Sequence, residues 1–135
     1  MKTKPRIRHT MLAVKDLGRS VDFYERLLGM DVMRRRMNEV KQLDAAYVGY
    51  GEEDHDHCLE LIQDVSAQAP AMMQPWTGHV AIAVTDLHQL CDFLAKNGVK
   101  ILTPAQPLAP GRKDLIALVA DPDGYQIELH ERAKP

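Results

Sequence analysis

The chain has 135 residues, 45% of them hydrophobic and 27% charged, with a net charge of −2; that balance suits a domain with a genuine core and excludes a disordered chain. No basic stretch extends beyond Arg34-Arg35-Arg36 and the scattered Lys2, Lys4, Arg6 and Arg8, so nucleic acid is not an expected partner. No run approaches the ~20 apolar residues of a membrane span, nothing resembles an export segment, and Cys58 and Cys91 lack any CxxC or finger spacing; a soluble cytoplasmic protein without disulfides is predicted.

Taken in chain order, residues 7–14 predict a strand with His9, Met11 and Ala13 on one face and Thr10, Leu12 and Val14 on the other. A helix is expected over Ser20–Leu28, capped by Ser20 and stopped at Gly29. Strands are predicted at 31–36, 45–50 and 57–62, with Glu52-Glu-Asp-His-Asp-His57 as a solvated hairpin loop between the last two. Gln63–Thr77, with Pro70 and Pro75 and no clean period, predicts a linker. Residues 79–84 then predict a strand with His79, Ala81 and Ala83 opposite Val80, Ile82 and Val84. A helix over Leu87–Lys96 follows, with Asp86 as its N-cap and Gly98 at its stop. Strands at 100–103, 115–119 and 125–130 complete the chain, and Asp121-Pro-Asp-Gly124 predicts a tight turn between the last two. Thr103–Arg112 contains three prolines and Gly111 and predicts a mobile flap over a site.

This order is a repeat. His9-Thr-Met-Leu-Ala-Val-Lys-Asp-Leu17 returns as His79-Val-Ala-Ile-Ala-Val-Thr-Asp-Leu87, and Leu59-Glu60-Leu61 returns as Ile127-Glu128-Leu129. Two modules are therefore predicted, about 7–62 and 78–132, within a single domain. Each carries one histidine and one glutamate at corresponding places. Modules of about 60 residues bury little surface alone, so they are expected to share a sheet or swap across a dimer. His9, Glu60, His79 and Glu128 are a mixed nitrogen and oxygen set that suits Zn²⁺, Ni²⁺, Co²⁺ or Mn²⁺, with two positions left open for a substrate.

Blander readings exist for each of these residues. A strand glutamate between leucines is also the ordinary pattern of a solvent-facing position, but that pattern does not place two histidines at equivalent strand positions. His55 and His57 belong to the acidic loop, and His88 to a helix surface near its start. Cys58 shares a face with Glu60 and reads as a packed thiol; His130 shares a face with Glu128 and either lines the same cavity or frays with the last strand. Arg34 is a candidate for steering an anionic substrate, although neighbours in Arg34-Arg35-Arg36 point alternately to opposite faces.

The stretches His9-Thr-Met-Leu12, Asp16-Leu17, Arg19-Ser20, Asp22-Phe23-Tyr24, Leu28-Gly-Met30, Tyr47-Val-Gly-Tyr-Gly51, Leu59-Glu-Leu61, Gly78-His79, Asp121-Pro-Asp-Gly-Tyr125 and Ile127-Glu-Leu129 resemble the vicinal oxygen chelate superfamily, and within it the short bacterial glyoxalase I group. The resemblance implies an α+β fold of two paired βαβββ modules with cupped mixed β-sheets flanked by helices. It implies a homodimer with interface metal sites, each built from His9 and Glu60 of one chain and His79 and Glu128 of the other. It also implies isomerisation of the methylglyoxal–glutathione hemithioacetal to a 2-hydroxyacyl thioester through an enediolate, with Glu128 as first candidate base and Glu60 as its counterpart. The metal expected from the resemblance is Ni²⁺ or Zn²⁺, with Co²⁺ as a further fit.

Departures from the family pattern fall in the thiol pocket. The arginine that follows His-Thr-Met-Leu in the family, and binds the glutamyl carboxylate of glutathione, is Ala13 here, beside Met11; the asparagine that helps it is Asp64. An aspartate repels the carboxylate that an asparagine attracts. Lys41-Gln42-Leu43 replaces an aromatic cluster. A related metalloenzyme acting on a non-glutathione substrate, such as an epimerase, is the main alternative. A dioxygenase fits less well because Glu60 adds a second carboxylate, and a drug-binding resistance protein would lack the ligands.

Overall fold

A computed structural model describes residues 5–66 and 79–134 of the chain, divided into two units, Met1–Gln74 and Pro75–Pro135. The first runs β1 (His9–Ala13), α1 (Leu17–Asp22), β2 (Asp31–Asn38), β3 (Leu43–Gly49) and β4 (Cys58–Asp64). The second repeats that order as β5 (His79–Ala83), α2 (Leu87–Lys96), β6 (Ile101–Pro107), β7 (Leu115–Ala120) and β8 (Gln126–Glu131). Their sheets have the strand orders β1-β4-β3-β2 and β5-β8-β7-β6. In each, the first and last strands pair in parallel and the others antiparallel. The βαβββ expectation holds in both units.

Side-chain alternation along the strands separates the two faces of each sheet; burial alternates in β7 and β8, whereas Ala45–Gly49 of β3 and Cys58–Leu61 of β4 are buried on both faces. Leu12, Leu61 and Ala46 form one buried cross-strand row, and Ile82, Leu129 and Ala117 form its counterpart. Leu17, Ser20, Val21, Tyr24, Leu27 and Leu28 supply the buried helical side of the first unit, and Leu87, Cys91 and Leu94 that of the second. Removing such side chains from water is the main favourable term holding each unit. The alternate positions, beginning with His9 and His79, are left on the other face.

The first helix starts earlier than the sequence predicts, and the second starts where it is expected. α1 begins three residues before Ser20, because Asp16 is the cap: its side chain accepts the Arg19 N–H at 3.0 Å. Ser20 is instead fully buried inside the helix. Beyond Asp22 the chain widens into a π-helical stretch, Phe23–Leu27, which buries the adjacent Phe23 and Tyr24 together in an edge-on ring contact. α2 has the predicted bounds, and Asp86 occupies the N-cap position, but with φ +51° and no side-chain cap bond. The first N–H of each helix is taken by the last strand of its own unit: Gln63 Oε1 accepts from Leu17, and Glu131 Oε1 from Leu87, both at 2.7 Å. Gly29 and Gly98 stop the helical segments at φ +72° and +80°.

The predicted linker starts later than expected, since Gln63 and Asp64 belong to β4; residues 67–77 of it lie outside the described residues, as does Gly78. The predicted flap is also corrected. Pro104 and Pro107 lie within β6, an edge strand where a missing N–H disrupts no ladder. The rest of it, 108–112, belongs to the connection to β7, closed by the Leu108 N–H on the Asp114 carbonyl at 2.9 Å. Asp121-Pro-Asp-Gly124 forms the expected turn: Gly124, at φ +94°, donates to the Asp121 carbonyl, and the buried Asp121 carboxylate accepts from the N–H groups of Asp123 and Tyr125. Among the described residues no helix is long and apolar enough to cross a membrane.

Candidate metal centre

Strand register builds the first half of the site. Met11 pairs with Glu60, Glu60 with Tyr47, and Tyr47 with Arg34, so these four side chains form one row across the sheet on the face of His9. His9 Nε2 lies 3.4 Å from Glu60 Oε1. The other oxygen, Oε2, accepts hydrogen bonds from the Tyr47 hydroxyl and, at 3.1 Å, from Arg36 Nη2. Glu60 is only 6% exposed, so it is a buried carboxylate with partners on both oxygens and not a solvent-facing strand residue. Burial and the bond to Glu60 together push the Tyr47 hydroxyl above its ordinary pKa.

Arg34 stacks over the Tyr47 ring, its guanidinium carbon 4.1 Å from the ring centroid. It also forks onto Glu53 with contacts of 2.6–3.2 Å, and this bond to Arg34 holds the Glu53 carboxyl below its ordinary pKa. Arg8 stands 4.0 Å from the same carboxylate, and Arg6 donates to the Glu53 carbonyl at 2.9 Å. Glu53 therefore gathers cations at this edge of the sheet. Arg35 points to the opposite face, toward Asp44 at 3.8 Å.

The second half is plainer. His79 Nε2 stands 3.0 Å from Glu128 Oε2, and Glu128 pairs with Ala81 on one side and Leu118 on the other. No donor among the described residues reaches Glu128 Oε1. Leu118 pairs in turn with Thr103, so aliphatic and small side chains occupy the places of Tyr47 and Arg34.

Each of the four sequence-predicted ligands thus meets the partner from its own unit. A cation bonded at about 2.1 Å holds neighbouring donors about 3.0 Å apart at right angles and about 3.4 Å apart in a tetrahedron. The observed separations of 3.0 and 3.4 Å match those spans, so each pair fits one edge of a metal's coordination shell. Among the described residues no three His, Cys, Asp or Glu side chains converge; each unit brings two donors.

The remaining expectations divide. Met11, 46% exposed, lies beside Glu60 on the open face. Ala13 lies two residues further along the same face, in the row of Ile62, Ala45 and Arg36. Asp64, at the end of β4, is engaged locally: it accepts from the Ser66 hydroxyl at 2.5 Å and the Ser66 N–H at 2.9 Å, bonds that hold its carboxyl below its ordinary pKa. His57 bridges the loop to β1 through Thr10 at 2.9 Å and the Ile7 carbonyl at 3.2 Å. His130 turns to Asp114 at 3.5 Å, away from a ligand role. Cys58 is buried, with its thiol pKa pushed up by burial, and packs as expected.

Tyr47 and Arg36 are the two partners of Glu60 that the sequence does not single out. Their only signal was parity within strands that face Glu60, and parity becomes contact only once the register is known.

The sequence profile of the Glyoxalase/Bleomycin resistance protein/Dioxygenase superfamily matches residues 6–129. A lactoylglutathione lyase of Escherichia coli O157:H7 is 38% identical over 126 residues, covering 93% of this chain and 92% of that one. Among solved structures, glyoxalase I of Zea mays superposes with a TM-score of 0.87 at 31% identity, over 96% of this chain and 45% of the maize chain; this chain therefore spans under half the length of that relative. The trypanothione-dependent glyoxalase I of Leishmania major gives a TM-score of 0.79 at 34% identity, over 95% of this chain and 87% of the other.

Proposed function

The chain belongs to the glyoxalase/bleomycin resistance protein/dioxygenase superfamily and is a lyase of the glyoxalase I type; we propose that it isomerises the hemithioacetal of a 2-oxoaldehyde and a thiol, of the methylglyoxal–glutathione kind, to a 2-hydroxyacyl thioester. The observation that carries this reading is the duplicated His–Glu pair on one sheet face of each unit, at metal-sharing separations. His9, Glu60, His79 and Glu128 would hold the ion, with Ni²⁺, Zn²⁺ and Co²⁺ all suited to two imidazoles and two carboxylates. When bound, it supplies Lewis-acid stabilisation of negative charge developing on the substrate oxygens.

The protein's own groups move the proton. Glu128, whose Oε1 is reached by no donor among the described residues, takes the carbon-bound proton and returns it to the adjacent carbon, so the net change is an isomerisation that consumes no oxidant or reductant. The arginines around Glu53 make one edge of the site cationic, suited to an anionic substrate.

Two donors per unit do not complete a coordination shell. In this reading a homodimer completes it, with His9 and Glu60 of one protomer facing the partner's His79 and the partner's Glu128. Mixing provides the check. His9→Ala and His79→Ala homodimers each lose both sites, whereas exchange between them creates heterodimers with one intact site and restores about a quarter of full activity on random mixing. No recovery, with exchange demonstrated, removes the shared-site arrangement. The free, buried Cys58 and Cys91 support a reducing compartment, the cytoplasm in this reading.

One observation favours a second thiol. Asp64 is held in its ionised form, and Ala13 presents no cation; both disfavour the free glutamyl carboxylate of glutathione and suit a neutral or cationic thiol at that end. The first test is turnover of zinc- and nickel-loaded protein on the methylglyoxal–glutathione hemithioacetal, followed as thioester, with His79→Ala as control. Turnover lost in the control upholds the reading. Metal-loaded protein inert on glutathione but active on an amidated or cationic thiol shifts only the thiol, and inertness on every hemithioacetal removes the lyase reading.

A further inference from the structure

The two carboxylates of the candidate centre are not equivalent, and the difference lies in atoms already placed. Glu60 turns Oε1 toward His9 and gives Oε2 to two donors, the Tyr47 hydroxyl and Arg36 Nη2. Tyr47 is itself fixed. It is 3% exposed, Arg34 covers its ring and is forked onto Glu53, and His9 meets the ring edge-on at 5.6 Å. A linked series therefore runs from Glu53 through Arg34 and Tyr47 to the carboxylate that shares its open side with His9. Glu128 has His79 on one oxygen and, among the described residues, no donor on the other. In its sheet the register positions of Tyr47, Arg34 and Arg36 are Leu118, Thr103 and Gln106, none of which is an aromatic hydroxyl or a cation.

We infer that Tyr47 and Arg36 are positioning residues that lock Glu60 through Oε2, making it the stationary carboxylate of the site and leaving Glu128 as the one free to move and carry the proton. The inference rests on the lyase reading for its consequence in turnover, but not for its consequence in metal binding. A carboxylate acting as base needs an oxygen with an unused lone pair and freedom to swing. On Glu60 both costs are raised, because two bonds to Oε2, one of them to a cation, must break around a carboxylate that is itself buried. The same bonds favour metal binding, because they hold Oε1 toward His9 before the ion arrives.

Zinc affinity by chelator competition and thioester formation at saturating zinc, measured on full-length protein, test this. Tyr47→Phe removes a single oxygen and weakens zinc binding about tenfold. In the Glu128→Gln background, where turnover is nearly lost, adding Tyr47→Phe frees Glu60 to act as base and raises turnover about tenfold. Arg36→Gln in the same background gives a smaller gain in the same direction, and it carries the test if Tyr47→Phe fails to fold. A merely structural role for Tyr47 would lower turnover in every background, so the gain is the distinguishing readout. Unchanged zinc affinity, or no gain in either double variant, overturns the inference. If the parent protein binds zinc yet turns over no hemithioacetal, the lyase reading has failed instead, and the zinc comparison alone decides whether Tyr47 holds the ligand.

Discussion

The two units share a backbone plan and a ligand pair but not the surroundings of that pair. In the first, the row across the sheet reads Met11, Glu60, Tyr47, Arg34; in the second it reads Ala81, Glu128, Leu118, Thr103. The side chain of Glu60 is 7% exposed and that of Glu128 is 21% exposed. Repetition thus preserves what both copies need, an apolar face under a helix and one His–Glu edge on the other face. What surrounds each edge decides its role. A carboxylate enclosed by donors suits a fixed ligand, and one beside aliphatic neighbours with a free oxygen suits a mobile base.

The sharpest way to break this comparison is Glu128→Gln. It is expected to lower turnover about 10²–10⁴-fold while retaining much of the metal, whereas Glu60→Gln loses metal first. Steady-state kinetics with metal analysis on both variants would read the difference, and equal losses of metal and turnover in the two would erase the asymmetry. Core substitutions probe what the units have in common. Leu61 and Leu129 are fully buried at equivalent register positions, so Leu61→Ala and Leu129→Ala are each expected to cost about 2–5 kcal/mol in denaturant unfolding. A large gap between the two would mean that the matched rows are unequally packed. Importing the first environment into the second is a milder change. Leu118→Tyr sets a hydroxyl opposite Glu128, and turnover is expected to fall about tenfold with zinc held more tightly; turnover unchanged in that variant would mean that a neighbouring donor does not restrain the base.

Much of this asymmetric repeat is legible in the amino-acid sequence. Alternation located the strands, because Leu12, Leu61, Ile127 and Leu129 had to share faces that exclude His9, Glu60, His79 and Glu128. Repetition then paired the ligands without a register. The errors came from places where local signals compete with tertiary partners. Ser20 and Asp16 are both good caps, and the choice fell to Asp16 because Gln63, from β4, takes the Leu17 N–H and Ser20 is needed inside. Three prolines suggest a loop, yet an edge strand accommodates two of them. Tyr47 and Arg36 became visible only with the bulge between Val32 and Arg34, which sets the parity of β2 against β3.

The smallest expected effect concerns two aspartates that tie down strand ends. Asp64 is held by Ser66, and Asp114 by the Ala133 N–H at 2.8 Å, with His130 and Arg112 each at 3.5 Å. These partners, the Ala133 N–H foremost for Asp114, place both folded pKa values below the ordinary aspartate value. Ionised carboxylates therefore favour the folded chain, fully above the unfolded pKa of about 3.9 and progressively less as pH falls through the lower folded value. Melting temperature is accordingly expected to be flat from about pH 7 to 5 with respect to these groups and to drop below about pH 4. Asp114→Asn keeps the shape and deletes the charge, so its deficit relative to the parent is expected to narrow as the pH is lowered through that range. Asp64→Asn is expected to behave likewise, since its shift has the same sign and comes from a single neighbour. A deficit that stays constant from about pH 7 to 3 would mean that the contact at Asp114 owes nothing to its charge, and the two units would then differ at their strand ends as they do at their carboxylates.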